Sequence, residues 1–207
     1  MGASGDGVVA VLATASAPEG ESVFERWNQM ALAHYESFGI RSRVVPVRDR
    51  RDALEPGHAS VVRSASMVFF SGGDPGHLHR TLIGTVLLEA IQALLERGGV
   101  YAGCSAGAMV AGDPLPGVRG LAARALGQGL GLAPGHVFGV HWDAPMMRPW
   151  RGLLGGRVPP ERHLLGISER TAVVGSPTGW TVQGSAAVEH RFGGQRRWLQ
   201  PGESLCL

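Results

Sequence analysis

Ser105 stands at the centre of Gly103-Cys104-Ser105-Ala106-Gly107. A short apolar run, Val100 to Ala102, precedes it, and an apolar helical pattern follows. G-x-S-x-G between a strand and a helix has the form of a nucleophile elbow, a strained turn with small flanking residues that projects the hydroxyl from the strand tip. A passive serine in a glycine-rich turn would look the same, so the motif needs partners. A serine hydroxyl is a poor nucleophile until a base takes its proton. Of the eight histidines, His141 is the best-placed base, because it falls where a predicted strand, Val137 to Trp142, gives way to a loop; His136 and His163 rank behind it. Glu169, Asp143, Glu161 and Asp113 are the candidate acids, and spacing does not separate Glu169 from Asp143. For an oxyanion hole, the N–H of Ala106 heads the helix after the elbow. Gly72-Gly73-Asp74, after another predicted strand, offers a second donor. His77 and His79 stand two apart on a helical stretch. That spacing puts them on different faces and argues against a metal shared with Asp74; no metal and no cofactor are expected.

The elements that must position these groups alternate. Val8 to Ala13, Arg41 to Val47, Met67 to Phe70 and Val100 to Ala102 read as strands, the buried ones without polar alternation. Residues 22–38 and 78–97 read as helices, the first with capping-box spacing at Ser22 and Glu25 and closed by Gly39. Arg48 to Gly57 is polar and turn-rich. This order predicts an α/β fold, a mostly parallel sheet with helices on both faces, in a single domain over residues 1–207. Beyond Gly112, residues 113–135 read as loop with a short helical piece. Short strands are expected at Val137 to Trp142, Leu164 to Ser168, Thr171 to Gly175, Thr181 to Val182 and Ala186 to Phe192. They would extend the sheet or form an antiparallel flap.

Composition narrows the chemistry further. At 207 residues and 44% hydrophobic content the chain can bury a sizeable core. Its net charge of +2 gives no basic field for nucleic acid. No run of about 18 apolar residues suggests a membrane span, and the first residues lack the order of a signal peptide, which favours a cytoplasmic protein. All 19 basic residues are arginine. A Ser–Lys dyad, a lysine Schiff base and a P-loop lysine are therefore impossible. Cys104 and Cys206 are too few for a structural zinc site; Cys104 is expected to pack under the elbow as a small apolar residue.

Taken in order, these segments resemble the cyanophycinase and α-aspartyl dipeptidase (dipeptidase E) family of serine peptidases. Ala13-Thr14-Ala15-Ser16 is similar to the family's P-T-A-S, Phe70-Ser71-Gly72-Gly73-Asp74 to F-x-G-G-D-Q, and residues 102–108 to A-G-T-S-A-G-A. Gly129-Leu130-Gly131-Leu132 with Pro134-Gly135 is similar to G-L-G-L-L-P-G, His141-Trp142 to the end of D-Q-H-F, and residues 166–172 to G-I-D-E-D-T-A. The resemblance implies a class I glutamine amidotransferase-like fold and a triad of Ser105, His141 and Glu169, with Gly73, Asp74 and Ala106 at the oxyanion hole. It implies a small peptide or amide as substrate. Monomers and homodimers both occur in the family. The departures bear on the substrate. Pro75 stands where the family has its glutamine, Gly139-Val140 replaces D-Q, and the arginine-rich stretch after the histidine is largely apolar. Only Arg148 and Arg151 remain there to hold a carboxylate, with Trp142 as a further expected substrate contact. Cyanophycin is thus not the expected substrate. Two rival readings follow from the same residues: a catalytically silent relative that binds through the same cleft, and an amidotransferase-like enzyme using Cys104.

Overall fold

In a computed structural model, which describes residues 5–116 and 126–207, the short apolar runs at residues 9–12 and 67–70 are strands. The chain divides into two compact units after Ala108. In the first, β1 (Val9–Leu12) is buried along its whole length. It pairs in parallel with β2 (Ser42–Val44) on one side and β3 (Met67–Phe70) on the other; β4 (Val100–Gly103) extends the sheet from β3. The order β2-β1-β3-β4 makes a four-stranded parallel sheet flanked by helices. Strand order reverses between β1 and β3. In such sheets the crevice beyond the C-terminal strand ends at that point is where ligands bind.

Helix α1 (Glu21–Ser37) buries Phe24, Asn28 and Ala31, a helical stripe. Val9, Val11 and Ala31 form one core cluster, with Tyr35, Met67 and Phe69 packed against it. The second strand is shorter than the expected Arg41 to Val47. The turn-rich stretch after it also holds more helix than expected: α2 (Arg50–Ala53), whose N-cap Asp49 accepts from Arg51 and Asp52 N–H, and the start of α3 (Pro56–Ser64), with proline in its first turn. A larger correction concerns the expected helix over 78–97. It is two helices, α4 (Pro75–Leu82) and α5 (Val86–Glu96), bent by 91° at the break. Gly84 adopts φ +64°, which a side chain resists, and Thr85 Oγ1 caps the second helix at Leu88 N–H. Among the described residues no single helix is long and apolar enough to cross a membrane, and Leu87, Leu88, Ala90, Ile91 and Leu94 of the second helix are buried.

Helix α6 (Ala106–Ala111) follows the elbow. The expected helical piece within 113–135 falls partly on residues 117–125, which lie outside those described; beside them β5 (Leu115–Pro116) pairs with β6 (Leu126–Gly127). The remaining strands do not extend the first sheet; they form sheets of their own. Strands β7 (His136–Gly139) and β8 (His163–Ile167) are parallel, with α7 (Arg148–Gly155) between them in the chain. The chain then forms β9 (Thr171–Ser176), β10 (Gly179–Gly184), β11 (Val188–Phe192), β12 (Gln195–Leu199) and β13 (Ser204–Cys206). One sheet has the order β12-β11-β8-β7 and the other β13-β10-β9, antiparallel throughout. In the first of these sheets every pairing except that of the parallel strands is antiparallel. Val137, Trp142 and Leu164 form a core cluster.

Candidate active site

In the first unit three loops leave the C-terminal ends of the parallel sheet. Backbone hydrogen bonds knit them together: Ser71 N–H donates to Leu12 O at 3.1 Å, Asp74 N–H to Ala15 O at 2.7 Å and Cys104 N–H to Phe70 O at 2.9 Å. Ser105 itself adopts φ +50°, a left-handed conformation that is costly for a residue with a side chain. The neighbouring glycines make the turn possible. A Cβ on Gly103 would stand 2.4 Å from the Gly107 carbonyl carbon, and one on Gly107 would stand 2.6 Å from Phe70 O. The sequence pattern did not point to Tyr101. Its phenol donates to Gly107 O at 2.7 Å and its ring stacks on Phe70; burial raises its pKa, so it remains a neutral donor.

Ser105, not Cys104, therefore occupies the strained centre of the elbow. Cys104 does not pack beneath it as expected but is exposed. Asp74 is also corrected. Its N–H is already donated to Ala15 O and its Oδ1 accepts from His77 N–H at the start of α4, so it serves as a helix cap and not as an oxyanion donor. Gly73, at φ +140°, abuts Ala15 so closely that a Cβ would lie 2.2 Å from its oxygen. Ala106 is the first residue of α6, where backbone N–H groups lack intrahelical acceptors. His77 is not directed to a metal; its Nε2 lies 2.7 Å from Arg48 O. Among the described residues no group of three His, Cys, Asp or Glu side chains is placed to hold a metal ion.

In the second unit the parallel pairing of β7 and β8 brings two strand ends side by side. His141 follows one, Glu169 the other, and His141 Nδ1 lies 2.6 Å from Glu169 Oε1. His141 (φ +54°) and Arg170 (φ +53°), the residue after Glu169, are the two other non-glycine residues in left-handed backbone among those described. The three strained residues thus stand at or beside the three predicted chemical groups. Asp143, the rival acid, is engaged differently: its Oδ1 accepts from Glu169 N–H at 2.7 Å, holding the backbone of the carboxylate that faces the imidazole.

Trp142 is not a substrate contact. Its side chain is fully buried. Gly139 and Gly166 are register partners, and the indole lies across both; a Cβ on either would come within 2.5 Å of the ring. Its N–H donates at 2.8 Å to Oε2 of Glu189, a buried carboxylate that also receives the Nε–H of Arg191 and, at 3.0 Å, that of Arg196. The Trp142 backbone N–H donates to Ile167 O. This ring pins the residue next to His141 to the sheet. On α7, Arg148 is exposed, while Arg151 lies 5.9 Å from the Trp142 ring centroid, its Nε buried and without a partner among the described residues.

The chain is also similar to known proteins. Residues 22–174 match the family model described as Peptidase family S51. The crystal structure of a peptidase from an acI-B1 Actinobacterium superposes with a TM-score of 0.87 at 31% identity, covering 97% of this chain and 83% of that one. A candidate peptidase E from Listeria monocytogenes EGD-e gives a TM-score of 0.62 at 16% identity, over 97% of this chain and 89% of that one, a likeness of fold. No curated protein matches the chain.

Proposed function

Since this chain belongs to peptidase family S51, and is on that ground a peptidase, we propose that it is a serine-type hydrolase cleaving a small peptide or amide through an acyl-enzyme on Ser105. Ser105 Oγ attacks the carbonyl carbon as His141 Nε2 takes its proton. The oxyanion accepts hydrogen bonds from the N–H groups of Ala106 and Gly73, each worth roughly 10²–10³ in rate. His141 then passes the proton to the leaving amine. Water, deprotonated by the same ring, releases the acid and frees the serine. Glu169 fixes the Nδ1–H tautomer, so that Nε2 carries the lone pair, and it balances the imidazolium as it forms. Arg148 and Arg151 would hold a substrate carboxylate.

The observation that carries this reading is the 2.6 Å contact between His141 Nδ1 and Glu169 Oε1. A base with its tautomer set by a carboxylate is the part of the chemistry that a passive serine turn would not need. A fluorophosphonate probe tests it. The folded wild type is expected to be labelled at Ser105, and Ser105→Ala not at all. A folded wild type left unlabelled would instead mark a silent relative. Labelling at Cys104 would restore the thiol alternative.

A further inference from the structure

Helix α1 sends one large ring toward the elbow. The three heavy atoms nearest a Cβ placed on Gly72 are Ser105 Cβ at 3.3 Å, Ser105 Oγ at 3.8 Å and Trp27 Cη2 at 3.8 Å. Gly72 thus forms the floor of a notch whose two walls are the nucleophile and the edge of an indole. Trp27 is half-buried, set apart from the buried stripe of its helix at Phe24, Asn28 and Ala31. The three loops at this notch carry little charge of their own. Residues 13–16, 71–74 and 104–105, which make up the three loops, include one charged side chain, Asp74, and its carboxylate faces the His77 N–H. No arginine or histidine stands on these loops to meet an acidic group.

From this juxtaposition we propose that Trp27 determines specificity, forming an apolar wall against the substrate residue whose carbonyl Ser105 attacks, and that this residue is aromatic or large aliphatic and not aspartyl. The inference rests on Ser105 being the nucleophile. The acyl group is bonded to Ser105 Oγ during turnover, so its side chain must lie within a few bonds of the notch. A flat indole edge gains dispersion and apolar burial against a benzyl or isobutyl group. A carboxymethyl group packed against the indole would lose water and find no cation on these three loops.

The test compares diphenyl phosphonates carrying a benzyl, an isobutyl or a carboxymethyl side chain, with second-order labelling rates at Ser105 read by mass spectrometry. In the wild type the benzyl and isobutyl probes are expected to outpace the carboxymethyl probe. Trp27→Ala should slow the benzyl probe about tenfold and change the carboxymethyl rate by less than about twofold. Trp27→Phe should retain most of the benzyl preference, and circular dichroism melts establish that both variants fold. Equal slowing of all three probes by Trp27→Ala in a folded protein overturns the specificity role, as does an unchanged profile or a wild-type preference for the carboxymethyl probe. If the wild type reacts with none of the three phosphonates and with no fluorophosphonate, the nucleophile assignment fails and this inference falls with it. If only the fluorophosphonate reacts, Ser105 stands and the apolar wall is refuted.

Discussion

The two faces of the sheet β12-β11-β8-β7 put the same kinds of residue to opposite uses. On one face Gly139, Gly166 and Glu189 lie in one row of register partners, with the Trp142 indole across the glycines and hydrogen-bonded to the carboxylate. That face anchors the loop from which His141 meets Glu169. On the other face His136, His163 and His190 stack at centroid distances of 5.2 and 5.3 Å, with Phe192 parallel to His163 at 4.0 Å. His190 and Glu189 are neighbours on β11, and the alternation of a strand sends one to each face. His163 Nδ1 and His190 Nε2 lie 3.0 Å apart, so one proton serves both rings. Burial pushes His190 down to about 4, helped by His163, Arg197 and His136. Burial also lowers His163 and His136, the latter partly offset by its N–H bond to Pro134 O. What distinguishes the proposed base from the packed histidines is the company of the ring. His141 faces a carboxylate from an open loop, whereas the stacked histidines face one another and an arginine.

Substitution on each side should separate the two roles most widely. His141→Gln is expected to lower kcat/KM by about 10³–10⁴, since it removes the group proposed to take the Ser105 proton. His190→Gln keeps a hydrogen-bonding group beside His163 and should leave kcat/KM within about a factor of two. Steady-state hydrolysis, or labelling of Ser105, measures both. Equal losses would erase the distinction between the faces.

Acid should find the stacked face first. Their folded pKa values lie below the ordinary histidine value of about 6.5, so the unfolded chain binds more protons as pH falls from there. The stability held by the neutral stack is therefore fully present above about pH 6.5. It is lost progressively toward about 4, the value for His190; the loss should be on the order of 2 kcal/mol. Urea midpoints taken from pH 7 to pH 4 should fall for the wild type and fall less steeply for His190→Gln. A parallel decline in both proteins would place the acid sensitivity elsewhere.

How legible this arrangement is from the sequence follows the range of the interactions. The first sheet is readable because its buried strands are continuous apolar runs, and the elbow is readable because glycine spacing reports a backbone that side chains would block. Ser105, His141 and Glu169 stand at strand ends, and the family motifs single them out. Gly84-Thr85 is a local stop and cap that the apolar periodicity across residues 78–97 overrides by eye, so two helices read as one. The remaining departures are long-range. Nothing local distinguishes Trp142, buried against glycines from two strands, from an aromatic pocket residue. Asp143 and Glu169 are equivalent acids until the pairing of β7 and β8 faces one to the imidazole and the other to a backbone N–H. Trp27 lies in a helix remote in sequence from Ser105, and only the return of the chain after β3 brings them to one glycine.

The anchoring face can be weakened without touching the chemistry, and this gives the smallest expected effect. Trp142→Phe keeps an aromatic ring against Gly139 and Gly166 but deletes the N–H held by Glu189. The carboxylate retains Arg191 and Arg196, so no buried charge is left alone, and the loss of stability should be about 1–2 kcal/mol. If the ring does no more than fill space, kcat and KM will stay as they were. If it sets the backbone from which His141 departs, kcat should fall about three- to tenfold with KM unchanged, because a misaligned base affects proton transfer and not binding. Adding Glu189→Gln should cost little further activity, since both changes break one contact and contacts of that kind do not add. An additive loss would mean that Glu189 acts on the site by another route, and the two faces of the sheet would be less separate than their hydrogen bonds make them.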